Sequence, residues 1–112
     1  MYNVEENFVR YMKDIGSNIL FSAVPGETIK EVRKGIEASQ EDMARLLGLR
    51  RETFSRIETG VINPTTTFIR RFSKMASIIK VFRDMNAIRD ASPQDAQIPF
   101  NPTFIRTHFS LS

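Results

Sequence analysis

The sequence predicts an all-α fold built around one small helical domain. Two observations carry that prediction. Apolar residues recur at three- and four-residue spacing from near residue 3 to near residue 90, the period of a helix that buries one face. Glycine and proline stand at the joints of that pattern, at Pro25-Gly26, Gly48, Gly60 and Pro64. Length is a third bound. The 112 residues suit one domain with appended segments: an N-terminal extension over 1–26, the domain over 27–79, and a C-terminal extension over 80–112. A chain of this size folds unaided, with little excess stability.

The first helix is expected over 3–22, with Val4, Phe8, Tyr11, Ile15 and Ile19 on its inner face and Gly16 weakening its middle. Pro25-Gly26 is expected to make a turn. Thr28 and Glu31 then have the spacing of a capping box, which predicts a helix from about Ile29 to about Glu37. Ser39 is placed to cap a helix over Gln40–Leu47, which Gly48 ends with a left-handed residue. A further helix follows from Arg50 or Arg51 to about Thr59, ended by Gly60. After Asn63-Pro64, Thr65 can cap a long helix over 66–90 carrying Phe68, Phe72, Met75, Ile78, Ile79, Phe82 and Met85. At about 1.5 Å per residue it would span roughly 37 Å, more than one small core covers. Its second half therefore needs a partner outside that core. The tail from Ser92, with Phe100, Phe104 and Phe109 among three prolines, is expected to be an extended docking arm.

Composition excludes several functions. Without cysteine there is no disulfide and no thiolate metal site, and the lone His108 reads as a surface residue. No stretch is apolar enough to span a membrane, and the start MYNVEENF lacks the plan of a secretion signal. A cytoplasmic protein without cofactor or metal is expected. No Gly-rich phosphate loop or nucleophile–base pair is present, so no enzyme is expected. The net charge of +3 is mild. What matters is where the bases gather, and Arg50, Arg51 and Arg56 gather on one short helix.

That helix and its predecessor form the informative segment, QEDMARLLGLRRETFSRIET over 40–59. Met43, Leu47, Leu49, Phe54 and Ile57 make one apolar surface, and Ala44 is small enough for two helices to cross. The opposite face holds Arg51, Glu52, Ser55 and Arg56. A basic helix on a tight turn suits the DNA major groove. The plain alternative is a solvated helix face balanced by Glu52.

Residues 28–79 resemble the Cro/Xre class of phage-repressor helix-turn-helix domains, and so a lambda-repressor-like fold. The matching residues are Arg33, Ser39-Gln40, Ala44, Leu47-Gly48-Leu49, Phe54, Ile57, Glu58, Gly60 and Asn63-Pro64. The resemblance implies that Arg51, Glu52, Ser55 and Arg56 face base edges. It implies that Gln40, Arg50, Thr53, Thr59 and Asn63 meet the DNA backbone, and that Arg33 and Glu58 form a structural pair. Two departures stand out. Position 50, commonly a small capping residue in that class, is arginine, which removes a side-chain cap at about 1 kcal/mol. Near position 77, where a glycine often ends the helix, Ser77 lets it continue.

The expected function is sequence-specific DNA binding in transcription regulation, as a homodimer on a palindromic operator. The alternative is an adaptor or antitoxin-like module that uses the same fold to bind protein. For the homodimer, the stripe Met75, Ile78, Phe82 and Met85 has the spacing of a seam between subunits. It equally suits packing against the N-terminal helix of the same chain, and that helix could itself cross to a partner.

Overall fold

The computed structural model describes residues 1–90. These form α1 (Val4–Leu20), α2 (Pro25–Gly35), α3 (Gln40–Leu47), α4 (Arg51–Glu58) and α5 (Thr66–Asp90), with no strand among the described residues. The architecture is all-α, a helix-turn-helix domain with an added first helix and a long last one. The expected docking arm over 92–112, with His108, lies outside the described residues.

Three of the five helices begin where a side chain accepts from their free backbone N–H groups. Asn3 accepts from the Glu6 N–H at 2.9 Å, with Glu5 and Glu6 in the positively polarised first turn. Ser39 accepts from the Asp42 N–H at 3.0 Å, and Thr65 from the Phe68 N–H at 3.0 Å. The start of α2 corrects the reading of Pro25-Gly26 as a turn. Pro25 stands in the first turn of α2, where its missing N–H is not needed and its fixed φ is already helical. Thr28 is consequently inside α2 and does not cap it; its hydroxyl donates to Ser22 Oγ at 2.8 Å. The chain leaves α2 through Glu37 at φ 57°, with Ala38 N–H bonded to Arg33 O at 3.1 Å.

The core is continuous across all five helices. Ile19, Ile29, Met43, Leu47, Phe54, Phe72, Ile78 and Ile79 are all fully or almost fully buried in it. Phe54 of α4 meets Phe68 and Phe72 of α5, each with ring centroids 6.2 Å apart. Removing such a ring costs about 3–5 kcal/mol, so this contact fixes α4 to the long helix.

The long helix finds its partner in α1, which runs antiparallel along it. Leu20 lies by Thr66 and Ile69, Gly16 by Ser73, and Tyr11 by Lys80 and Asp84. Gly16 has a positive use here: a Cβ on it would meet Ser73 Oγ at 3.4 Å, so the helices cross closely at two small residues. Ser73 and Ser77 satisfy their buried hydroxyls by donating to Ile69 O and Ser73 O, one turn back. Of the two readings of Met75, Ile78, Phe82 and Met85, this packing favours contact within the chain. Met75, Ile78 and Phe82 are buried within the protomer and Met85 is half-buried, because α1 and the domain core cover them. They present no free stripe to a second subunit.

Candidate nucleic-acid interface

The turn between α3 and α4 is built from one glycine and its neighbours. Gly48 adopts φ 71°, ψ 28°, a left-handed conformation that costs a glycine little. Leu49 N–H then bonds back to Ala44 O at 2.8 Å, and Arg71 of α5 donates to Leu47 O at 3.0 Å. These bonds satisfy the last carbonyls of α3 and set the direction in which α4 leaves. Arg71 has no part in the helix-turn-helix spacing; only the fold brings it there.

The α4 helix is two-faced. Phe54 and Ile57 are buried, while Arg50, Arg51, Glu52, Arg56 and Thr59 are exposed and Thr53 and Ser55 are half-buried. Asn63 is exposed in the loop that follows. Arg50 occupies the N-cap position in extended backbone, with φ −76° and ψ 148°, and offers no side-chain cap. The N–H groups at the start of α4 therefore lack an acceptor from that residue, beside two guanidinium groups. A helix N-terminus so arranged favours an anion.

A polar relay ties the exposed surface to the interior. Arg33 Nε donates to Glu58 Oε2 at 2.7 Å and Arg33 Nη2 to Glu58 Oε1 at 3.1 Å, with side chains only 10% and 1% exposed. Arg33 Nη1 also donates to Ala38 O at 3.0 Å. The two charges are thus fully hydrogen-bonded, which is what makes such a buried pair tolerable. Gln40 Nε2 donates to Glu58 Oε1 at 2.8 Å, and Gln40 Oε1 accepts from Arg51 Nη1 at 3.3 Å. Sequence reasoning placed Gln40 at a phosphate; in the free chain its side chain bridges the ion pair and Arg51. A shallow concavity beside it is lined by Glu41, Arg45, Arg50, Arg51 and Glu52. Arg45 is engaged there with Glu41 at 3.1 Å and Asp42 at 3.8 Å.

Among the described residues no group of histidine, cysteine, aspartate and glutamate could hold a metal, and no helix is long and apolar enough to cross a membrane. What the geometry offers is a rigid helix that projects arginines. The comparison with family models agrees: residues 26–75 match the model described as a helix-turn-helix domain. No curated protein and no solved structure matches the chain. The matched segment runs from the second residue of α2 into the first half of α5. It leaves α1 and the rest of α5 as additions to the helix-turn-helix unit.

Proposed function

We propose that this protein is a sequence-specific DNA-binding regulator of transcription of the Cro/Xre kind, acting as a homodimer on a near-palindromic site. The observation that carries the reading is the two-faced α4. Its inner face is locked by Phe54 and Ile57, so Arg51 and Arg56 are displayed on a fixed helix and not on a mobile loop. Such a helix enters the major groove, where an arginine holds guanine O6 and N7 with two hydrogen bonds. Arg51, Glu52, Ser55 and Arg56 read base edges. Arg50, Thr53, Thr59, Asn63 and the N-terminal end of α3 at Gln40 meet the backbone. Two copies read half-sites about 34 Å apart.

The test is fluorescence anisotropy on a duplex selected from a random pool. Arg51→Ala or Arg56→Ala is expected to weaken binding by about 1–3 kcal/mol and to relax preference at one base pair. Arg50→Ala is expected to weaken all sequences alike and to lower the salt dependence. A protein that binds no duplex, or loses all sequences equally on Arg51→Ala, would sink the base-reading assignment. A complex with another protein that is indifferent to Arg51→Ala would favour the adaptor reading.

A further inference from the structure

We infer that the cleft where α1, α2 and the far half of α5 meet is a binding site for a small soluble anion carrying a carboxylate or phosphate group. The inference goes beyond the DNA-binding reading and does not depend on it.

The cleft holds about 550 Å³, a volume typical of small-molecule sites. Its floor is apolar, with Ile15 and Ile36 buried and Val32 half-buried. Its walls carry Arg10 and Asp14 from α1, and Lys80, Arg83 and Asp84 from α5. Gly35, the last residue of α2, lines it as well, and nothing stands within 4 Å of where its Cβ would be. So α2 leaves room there that a side chain could fill. All five charged groups lie outside residues 26–75. The cleft therefore belongs to what this chain adds to the helix-turn-helix unit.

The cations of the cleft are under-used. Arg10 lies 5.2 Å and Lys80 4.6 Å from the centre of the Tyr11 ring, which gathers both by its π face. Arg10 donates to the Asn7 amide oxygen, and neither cation is ion-paired among the described residues. Arg83 Nη2 donates to Glu37 O at 3.3 Å, and its Nη1 lies 3.8 Å from the Glu37 carboxylate. Its sheltered Nε is the one buried side-chain polar atom without a partner among the described residues. Arg33 makes the contrast, because its Nε, Nη1 and Nη2 all donate at 3.1 Å or less. Buried donors are normally satisfied, and a guanidinium is suited to a two-oxygen acceptor. An oxyanion seated in the cleft supplies the acceptor that Arg83 lacks, with Arg10 and Lys80 beside it.

The acids narrow the class of ligand. Asp84 is already engaged by the hydroxyls of Tyr2 and Tyr11. Asp14 is exposed and unpaired among the described residues. Three cations around one free carboxylate favour an anion of small charge. The concave wall, with Asp14 on it, disfavours a duplex backbone, which is convex and negative along its whole length.

Chemical-shift titration of the ¹⁵N-labelled full chain tests the inference. The probes are inorganic phosphate and citrate, with sodium chloride at matched ionic strength as the reference. At least one probe is expected to move the Gly35 and Ile36 amides saturably at low-millimolar concentration, and chloride is not. Arg83→Gln and Lys80→Gln are each expected to weaken binding at least roughly tenfold, the loss of one charge-assisted hydrogen bond. Gly35→Leu keeps every charge but fills the space, and is expected to abolish binding. Lys74→Gln, an exposed cation of α5 outside the cleft, is expected to leave it unchanged. Circular dichroism checks each fold, and if Arg83→Gln unfolds, Gly35→Leu and Lys80→Gln still decide. Shifts that never saturate, that chloride reproduces, or that survive Gly35→Leu overturn the inference. Shifts confined to the start of α4 place the anion on the arginine face and overturn it too. A duplex that moves the Gly35 and Ile36 amides when neither probe does would assign the cleft cations to a DNA backbone, and is the third contrary result. The probe titrations contain no DNA, so their failure and the failure of the DNA-binding reading are seen separately.

Discussion

The Gln40 amide donates to Glu58 Oε1 at 2.8 Å, so the first residue of α3 is joined to the last residue of α4. Its carbonyl oxygen meanwhile holds Arg51 at 3.3 Å. One neutral side chain thereby connects a buried ion pair to an exposed arginine. Gln40→Ala should remove the restraint on Arg51 and one of the donors to Glu58, with a loss of about 1 kcal/mol in stability, the net worth of a typical hydrogen bond. If Arg51 reads a base, the same variant should lower discrimination between the selected duplex and one changed at that base pair. Thermal melts and competition binding measure the two effects separately. A variant that loses stability but keeps full discrimination would show that Arg51 is oriented without Gln40.

The Arg33–Glu58 pair should behave as a buried ion pair does when half of it is removed. Glu58→Gln keeps the shape but leaves the Arg33 charge uncompensated inside the protein. The expected loss is about 3–5 kcal/mol in urea or thermal unfolding. The double variant Arg33→Met, Glu58→Leu should recover most of that loss, because no charge then remains buried. Recovery of little or none would mean that the surrounding polar contacts, to Ala38 O and Gln40, need the pair itself.

The helix-turn-helix was legible because its signals are local. Ser39, Gly48 and the apolar positions of α3 and α4 each act within a few residues, so the bounds of α3 and the left-handed turn follow from the chain itself. The length of α5 was legible for the same reason, with no glycine or proline to interrupt it. One reading failed, and another stayed open, where a tertiary contact decides. Pro25-Gly26 is written like a turn, yet both residues are helical, and the bare Gly26 lets α2 lie against the end of α4. Met75, Ile78 and Phe82 have the spacing of a seam, but spacing cannot say whether the covering helix belongs to the same chain. Gln40 shows the same limit: its place at the start of α3 is set locally, whereas its bond to Glu58 exists only once α3 and α4 are packed.

Two glycines of α2 should respond in opposite directions to the same substitution. A Cβ on Gly26 would lie 2.3 Å from Ile57 O and 2.6 Å from Glu58 O, and neither carbonyl can move without shifting the end of α4. Gly26→Ala should therefore destabilise by about 1–3 kcal/mol or more, as overpacking does. Gly35 has open space around its would-be Cβ. Gly35→Ala should stabilise by up to about 1 kcal/mol through helix propensity alone. Paired denaturant melts decide the matter, and a neutral Gly26→Ala would contradict the close approach of α2 to α4.

The last prediction concerns the latch that holds α1 to the far half of α5. Tyr2 and Tyr11 both donate their hydroxyls to Asp84 Oδ2, the Tyr2 bond at 2.6 Å. Burial, with the Asp84 carboxylate adding to it, pushes the Tyr2 phenol well above its ordinary value of 10.0. The hydrogen bond to Asp84, together with burial, raises Tyr11 as well, against the opposing effects of Tyr2 and Arg10. Lys80 sits 4.6 Å from the Tyr11 ring centre and faces the same site. Because the folded values are raised, the unfolded chain releases its phenolic protons first. The latch thus contributes fully below about pH 10, and its contribution falls as pH rises from there toward the folded values. The chain has only these two tyrosines, so absorbance reports them alone. Phenolate absorbance of the native protein should stay low near pH 10 and rise when denaturant is added at that pH. The double variant Tyr2→Phe, Tyr11→Phe should be less stable than the wild type at neutral pH, and the gap should narrow with increasing alkalinity. Native phenols that ionise near pH 10, or a gap that stays constant with pH, would mean that Asp84 does not hold them.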